Sequence, residues 1–398
     1  MHVTLLGTGA PAGLPRPGCP CAACARALDA DVRTATAVLV DGVLLLDLTP
    51  GLALSAARAG HTLTGVQQVL LSHPHNGPAL ELPPELPAPV RLPDGRDLAL
   101  LTGHRVRAVA VDAPGTGYAV TGPDGGRLLY LPPGAAPAGA ADGPPYDLCL
   151  LDVTGRPEAL ARLRGTGAAA LATDVVAVHL DHDVQPGAET HRRLAAAGAR
   201  AEPDGTTLTV GDYRLVPEVP RRTLVLGGAR SGKSAEAERR LATFPEVTYA
   251  ATGGRRADDP EWTARVAAHR ERRPPGWTTV ETCDLVPLLA DGEGPPLLID
   301  CLALWLTDAM DAVGAWEDER WADAGARALG ARTSALVGAF RATRRTVVTV
   351  SNEVGSGVVP ATASGRRFRD ELGRLNAAIA AECEQVLLTV AGTVLPLR

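Results

Sequence analysis

Lysine is almost absent from this 398-residue chain: of its 39 basic side chains one alone is lysine, Lys233. Arginine takes its place nearly everywhere. With heavy Ala, Gly and Pro usage this reads as a GC-rich coding background, so a surviving lysine marks a place where a compact ammonium is required and a planar guanidinium does not fit. An excess of positive charge is missing too, because the net charge is -6 at pH 7. That excludes a general nucleic-acid binder. No apolar run approaches the ~18 residues of a membrane span, and the N-terminus MHVTLLGTGAP lacks the basic n-region of a secretory signal. A cytoplasmic protein is expected. Paired cysteines are not evident either: there are seven, an odd count, and three crowd into Cys19, Cys21 and Cys24. A cytosolic chain spends such a cluster on metal rather than on disulfides.

What is present suits a globular protein, with 45% hydrophobic and 21% charged residues. At ~150 residues per domain the length predicts two or three domains. Residues 215–221, with Pro217 and Pro220 between apolar stretches, form an extended linker. Domains are therefore expected over 1–214 and 222–398. In the first, short apolar runs (Val3–Leu6, Ala37–Val40, Val43–Leu46, Val69–Leu71, Val106–Val111, Arg127–Leu131, Leu148–Leu151, Thr207–Val210) separated by Gly, Pro and Asp turns predict a strand-rich sandwich with a few helices. In the second, β-type runs (Thr223–Leu226, Val247–Ala251, Leu297–Ile299, Thr346–Val350, Gln385–Val390) alternate with Ala/Arg/Glu-rich stretches, which predicts an α/β domain with a parallel sheet.

Gly227-Gly228-Ala229-Arg230-Ser231-Gly232-Lys233-Ser234 is a complete G-x-x-x-x-G-K-S between an apolar strand and a helical AEAERRLA. Such a P-loop curls backbone N–H groups around phosphate, sets a point charge on the β/γ-phosphates and offers the Ser234 hydroxyl to Mg²⁺. Asp300, ending the next apolar strand, stands where a Walker B acid would help to hold that ion. His269 lies in a helical pattern, Glu261–Arg273, ended by Pro274, with Arg265 four residues before it on one face and Arg270, Arg272 and Arg273 beside it. A neutral imidazole among guanidiniums is suited to attack an α-phosphate; the plain alternative is a solvated surface histidine. A GTPase switch would need an Asn-Lys-x-Asp motif, which a chain whose one lysine sits in the P-loop cannot contain.

The combination of GGARSGKS, Ala251-Thr252, His269-x-x-x-Arg273-Pro274, Trp277 with Glu281, Ser351-Asn-Glu-Val-Gly-Ser-Gly-Val-Val-Pro360, Arg369-Asp370 and Gly373-x-x-Asn376 resembles the bifunctional adenosylcobinamide kinase/adenosylcobinamide-phosphate guanylyltransferase family over residues 222–398. The resemblance implies that His269 carries a GMP intermediate, that Gly227 to Ser234 bind nucleotide, and that Ala250, Ala251, Thr252, Arg270, Glu271, Arg272, Arg273 and Glu281 line the nucleotide site. It also implies an adenosylcobinamide (corrinoid) substrate, GTP or ATP as co-substrate, catalytic roles for His269, Lys233 and Asp300, and a homo-oligomer. Ala268 departs from relatives with a second histidine there. A generic P-loop small-metabolite kinase would also explain the P-loop and Asp300, yet leaves His269 and Asn352-Glu353 without roles.

In the first domain Leu5-Leu-Gly-Thr-Gly9, Asp47 and Ser72-His73-Pro-His75-Asn-Gly77-Pro78 resemble the metallo-β-lactamase-like fold, an α+β αββα sandwich, in the branch of the pyrroloquinoline-quinone biosynthesis B protein and a phosphonate-pathway phosphodiesterase. That family's H-x-H-x-D-H ends here in Gly77 and Pro78, and no bridging aspartate is evident. His73, His75 and His179 read as the remnant of an eroded metal site without an acidic partner. Cys19, Cys21 and Cys24 can share one tetrahedral zinc, and the resemblance adds His182 as fourth ligand of a structural Zn²⁺ site. Cys149, Cys283, Cys301 and Cys383 read as core. A metal-dependent hydrolase and a non-enzymatic scaffold both stay open for this half.

Overall fold

Along Arg127–Leu131, Leu128 and Tyr130 point to one side, Leu129 and Leu131 to the other, and all four are buried. A strand apolar on both faces belongs between two layers. In this computed structural model, which describes residues 1–74, 82–139, 143–212, 218–253 and 273–398, that is where it lies. The chain divides into two units, Met1–Val219 and Pro220–Arg398.

The first unit holds two sheets. One runs Thr207–Thr209, His2–Gly7, Ala37–Val40, Leu44–Leu46, Gln68–Leu70, and the other Asp174–Ala177, Leu148–Leu151, Arg127–Tyr130, Gly117–Thr121, Arg105–Val109, Asp97–Ala99. Their facing side chains, among them Leu5, Val38, Leu46, Tyr118, Tyr130 and Leu150, make the central core. Outside, helices Pro157–Gly165 and Ala188–Ala196 cover the second sheet through Leu160, Leu163 and Leu194. Helix Leu52–Arg58 covers the first through Leu52 and Ala56. The layers are helix, sheet, sheet, helix, as the metallo-β-lactamase-like expectation requires. Asp97–Ala99, Gly117–Thr121 and Asp174–Ala177 add strands that the apolar runs did not mark. The first is an exposed edge, where a strand need not be apolar.

The second unit is one seven-stranded sheet in the order Trp277–Glu281, Val247–Ala251, Leu297–Asp300, Val347–Asn352, Arg222–Gly227, Gln385–Val390, Thr393–Pro396. Every neighbouring pair is parallel except the final hairpin. The flanking strands Trp277–Glu281 and Thr393–Pro396 were not marked by the β-type runs. The expected helix over Glu261–Arg273 falls almost wholly outside the described residues. Helices on the faces supply Leu241, Leu306, Phe340, Leu372 and Ile379 to a continuous core. Among the described residues no helix is long and apolar enough to cross a membrane. Phe340, fully buried on helix Ala326–Ala342, should be costly to truncate. Phe340→Ala is expected to lower the unfolding free energy of this unit by about 3–5 kcal/mol in chemical denaturation; an unchanged midpoint would contradict the packing described.

Candidate functional site

Strand Arg222–Gly227 lies inside the sheet, and its C-terminal end opens into a loop that enters helix Lys233–Leu241. Two glycines make that turn possible. A Cβ on Gly227 would stand 2.4 Å from Ser231 Oγ and 2.7 Å from the Thr389 carbonyl oxygen, and Gly232 adopts φ +98° immediately before the helix. Lys233 Nζ donates to the Gly228 carbonyl at 3.0 Å, and Ser231 Oγ is buried without a hydrogen-bond partner among the described residues. An orphaned hydroxyl beside a lysine at a helix N-terminus fits an absent phosphate. Ser234 is the second residue of the helix.

Asp300 ends strand Leu297–Asp300 and pairs with Val350, which pairs with Val225. It therefore lies two strands from the P-loop strand, roughly 10 Å away across the sheet. Tyr249 OH donates to Asp300 Oδ2 at 2.7 Å. The Arg273 guanidinium stacks 3.3 Å from the centre of the Tyr249 ring and donates to Thr279 Oγ1 at 2.9 Å. Burial, reinforced by the Asp300 charge, drives the Tyr249 phenol far above its ordinary range, so it remains a donor to the carboxylate. Arg273 thus joins Asp300 through Tyr249, a residue that nothing in the run VTYAA singles out.

The other nucleotide-site candidates separate. Ala250 is fully buried between Val280 and Ile299, and its methyl belongs to the core. Thr252 Oγ1 accepts from Cys301 N at 2.8 Å and donates to the Cys301 carbonyl at 2.7 Å, tying two strand ends together. Ala251, Thr252 and Glu281 do meet, in a cleft of about 410 Å³ that Cys283, Asp308 and Asp311 also line. Cys283 is therefore half-buried at a cleft, whereas Cys149, Cys301 and Cys383 are core as expected. Asp308 and Asp311 were missed, and their signal was present: two acids three apart in the otherwise apolar helix Leu302–Ala312. His269, Arg270, Glu271 and Arg272 lie outside the described residues, as does His75. The SNEVG and Gly373-x-x-Asn376 motifs touch, with Ser351 Oγ donating to Asn376 Oδ1 at 2.6 Å and Asn376 Nδ2 to the Asn352 carbonyl at 3.0 Å.

In the first unit Cys19, Cys21, Cys24 and His182 converge, all four ligand atoms lying within 4.8 Å of one another. The three sulfurs stand 3.2, 3.5 and 3.4 Å from His182 Nδ1. Zn–S of ~2.3 Å and Zn–N of ~2.0 Å in a tetrahedron set the S···N edge at about 3.5 Å, close to these separations. Cys21 caps helix Ala22–Arg26, and the Cys24 backbone N–H it accepts lowers its thiol to about 7; burial raises that of Cys24. Around His73 the sequence reading needs correction, because an acidic partner exists. Asp47, fully buried at φ +66°, lies 3.5 Å from His73 Nδ1 and accepts from Ser72 N, Ser72 Oγ and Tyr130 OH at 2.6, 2.5 and 2.6 Å. Twenty-six residues separate Asp47 from His73, and the pairing of Leu44–Leu46 with Gln68–Leu70 brings them together. His179 is buried with Nε2 3.0 Å from the Leu131 carbonyl, and desolvation holds it down to about 4.

The P-loop geometry generates a test. Gly227→Ala is expected to destabilise the second unit by about 1–3 kcal/mol through overpacking. Gly228→Ala, where a Cβ meets nothing within 4 Å, should leave its unfolding midpoint unchanged. Equal effects in chemical denaturation would contradict the contact at Gly227.

Residues 223–397 match the family model described as cobinamide kinase / cobinamide phosphate guanyltransferase. The bifunctional adenosylcobalamin biosynthesis protein CobP of Pseudomonas aeruginosa is 42% identical over 181 residues, covering 44% of this chain and 97% of that protein. Two solved structures resemble the other half: a diphosphatase from the PhnP family (23% identity, 55% of this chain and 99% of that one, TM-score 0.39) and Zn²⁺-bound PqqB from Methylobacterium extorquens (19%, 53% and 100%, TM-score 0.39). Through its C-terminal half, the chain belongs to the cobinamide kinase/cobinamide phosphate guanyltransferase family.

Proposed function

We propose that residues 222–398, joined by the linker 215–221 to the domain 1–214, phosphorylate the hydroxyl on the aminopropanol arm of adenosylcobinamide and then transfer GMP from GTP to the product. The observation that carries this reading is the P-loop, with the chain's lone lysine at the helix N-terminus and Asp300 two strands away. ATP or GTP serves the first step. Lys233 and the loop N–H groups hold the β- and γ-phosphates, which suits a reaction that depends on positioning and charge neutralisation. Ser234 and Asp300, both oxygen donors, would hold Mg²⁺, which when bound neutralises phosphate charge. In the second step a His269 ring nitrogen attacks the α-phosphorus of GTP and pyrophosphate leaves. An oxygen of the phosphorylated corrinoid then displaces the histidine, giving adenosylcobinamide-GDP.

Both activities are expected to vanish in Lys233→Ala and in Lys233→Arg, because a guanidinium does not reproduce the point charge on the phosphates. Wild-type rates in Lys233→Arg, assayed by corrinoid chromatography, would contradict the role given to the lysine. His269→Ala is expected to lose guanylyl transfer and keep the kinase step. Label from the α-phosphate of GTP should stay on denatured wild-type protein as an acid-labile phosphoramidate; label persisting on His269→Ala would refute the assignment.

For the first domain the reading is a structural zinc held by Cys19, Cys21, Cys24 and His182, with no catalytic turnover at the His73 remnant. The mutual spacing of the four donors supports the zinc, and closed Cys₃His sites contribute folding energy. Asp47 behind His73 favours a hydrolase reading to that extent, yet Gly77 and Pro78 offer no ligand where the family motif has an acid and a histidine. Metal analysis should find about one zinc per chain, kept in His73→Ala and lost in the Cys21→Ser/Cys24→Ser double variant together with part of the thermal stability of this domain. The opposite pattern, or phosphodiester hydrolysis that depends on His73, would overturn this reading.

A further inference from the structure

The kinase step needs a group to take the proton of the attacking hydroxyl, and neither the P-loop nor Asp300 supplies one. Lys233 is a cation, and Asp300 already accepts from Tyr249 and is assigned to the metal. Other carboxylates at the C-terminal edge of the sheet line a cleft that includes no P-loop residue. Glu281 ends the outermost strand, and Asp308 and Asp311 face the cleft it lines. Glu236, in the first turn of the P-loop helix, is buried and ion-paired with Arg239 and Arg240, which leaves Glu353 as the carboxylate to consider. Strand Val347–Asn352 lies directly between the P-loop strand and the Asp300 strand, and Glu353 is the residue that leaves it. Its backbone N–H donates to the Gly227 carbonyl at 3.1 Å, at the root of the loop. Asn352, just before it, pairs with Gly227 in register and is braced by Asn376.

Ligands of open α/β sheets bind beyond the carboxyl ends of the strands, where the strand order reverses. Glu353 occupies that position between the two strands that carry the phosphate and metal groups. Its Oε1 accepts from Gly355 N at 2.9 Å, which fixes the side chain in a short turn, and Oε2 has no hydrogen-bond partner among the described residues. The residue is half-buried, and its bond to Gly355 lies at the surface.

We propose that Glu353 is the general base of the phosphoryl-transfer step. This rests on the kinase reading above. The proton passes from the arm hydroxyl to the Glu353 carboxylate, the hydroxyl oxygen forms a bond to the γ-phosphorus, and the bond from that phosphorus to the β–γ bridging oxygen breaks. The electron pair leaves on the nucleoside diphosphate, and the proton is then released to solvent. The guanylyl step uses His269 as nucleophile, so Glu353 divides the two activities.

The test uses the full-length protein with adenosylcobinamide, ATP and Mg²⁺, scored by mass spectrometry of the corrinoid. Glu353→Gln keeps an oxygen that can accept from Gly355 N, so the turn is retained. It is expected to lower kcat of phosphorylation about 100-fold, to leave KM for the nucleotide within about twofold, and to remove the acidic limb of the kcat–pH profile. Glu353→Asp should regain part of the rate and the acidic limb. Wild-type kcat in Glu353→Gln, or a slower variant whose nucleotide KM rises while its pH profile keeps the wild-type shape, would overturn the inference and assign Glu353 to loop structure. If the wild type itself transfers no phosphoryl group to adenosylcobinamide, the proposed function fails and this inference with it. A wild type that phosphorylates and a Glu353→Gln protein that does so equally well would defeat the base alone.

Discussion

The close approach of Gly227 to the Ser231 side chain and the Thr389 carbonyl is the contact on which the second unit's site depends. Without a side chain at 227 the loop can turn at the end of an interior strand and deliver Lys233 and Ser234 to the first turn of a helix. The parallel sheet then sets what stands nearby. Asn352 and Asp300 come from the next two strands on one side, and their distances follow from strand spacing rather than from flexible loops. The hydrogen bonds among Ser351, Asn352 and Asn376 brace one flank of this arrangement. The stack of Arg273 on Tyr249, and of Tyr249 against Asp300, braces the other.

The first unit is organised by a different constraint. A buried carboxylate is costly unless fully hydrogen-bonded, and Asp47 meets that condition through Ser72 and Tyr130, with His73 alongside. This network links the two sheets across the core, from Asp47 and Ser72 on one to Tyr130 on the other. The three cysteines and His182 form a separate cluster whose four donor atoms lie within 4.8 Å of one another.

Much of this was legible in the sequence, and the reasons differ from residue to residue. Gly227 to Ser234 are contiguous, so their geometry follows from local turn chemistry. The cysteine cluster is nearly so, and the one distant partner, His182, came from family resemblance. Tyr249 was not legible because its importance comes from Asp300, fifty-one residues away, through a strand pairing that spacing alone does not specify. Asp47 stood out as a strand end, but its contact with His73 depends on a parallel pairing that local pattern does not determine. Ala250 differs from its neighbours: strand alternation turns its side chain into the core, while Ala251 and Thr252 line the cleft.

Parallel-sheet geometry, a lone P-loop lysine and family membership converge on one account, in which this chain builds the nucleotide end of a corrinoid. The most direct measurement is mass spectrometry of adenosylcobinamide after incubation with the purified protein, ATP or GTP, and Mg²⁺. The account predicts the phosphorylated corrinoid first and then, with GTP present, the corrinoid carrying GDP. Unaltered corrinoid accompanied by nucleotide turnover, or by no turnover at all, would contradict it.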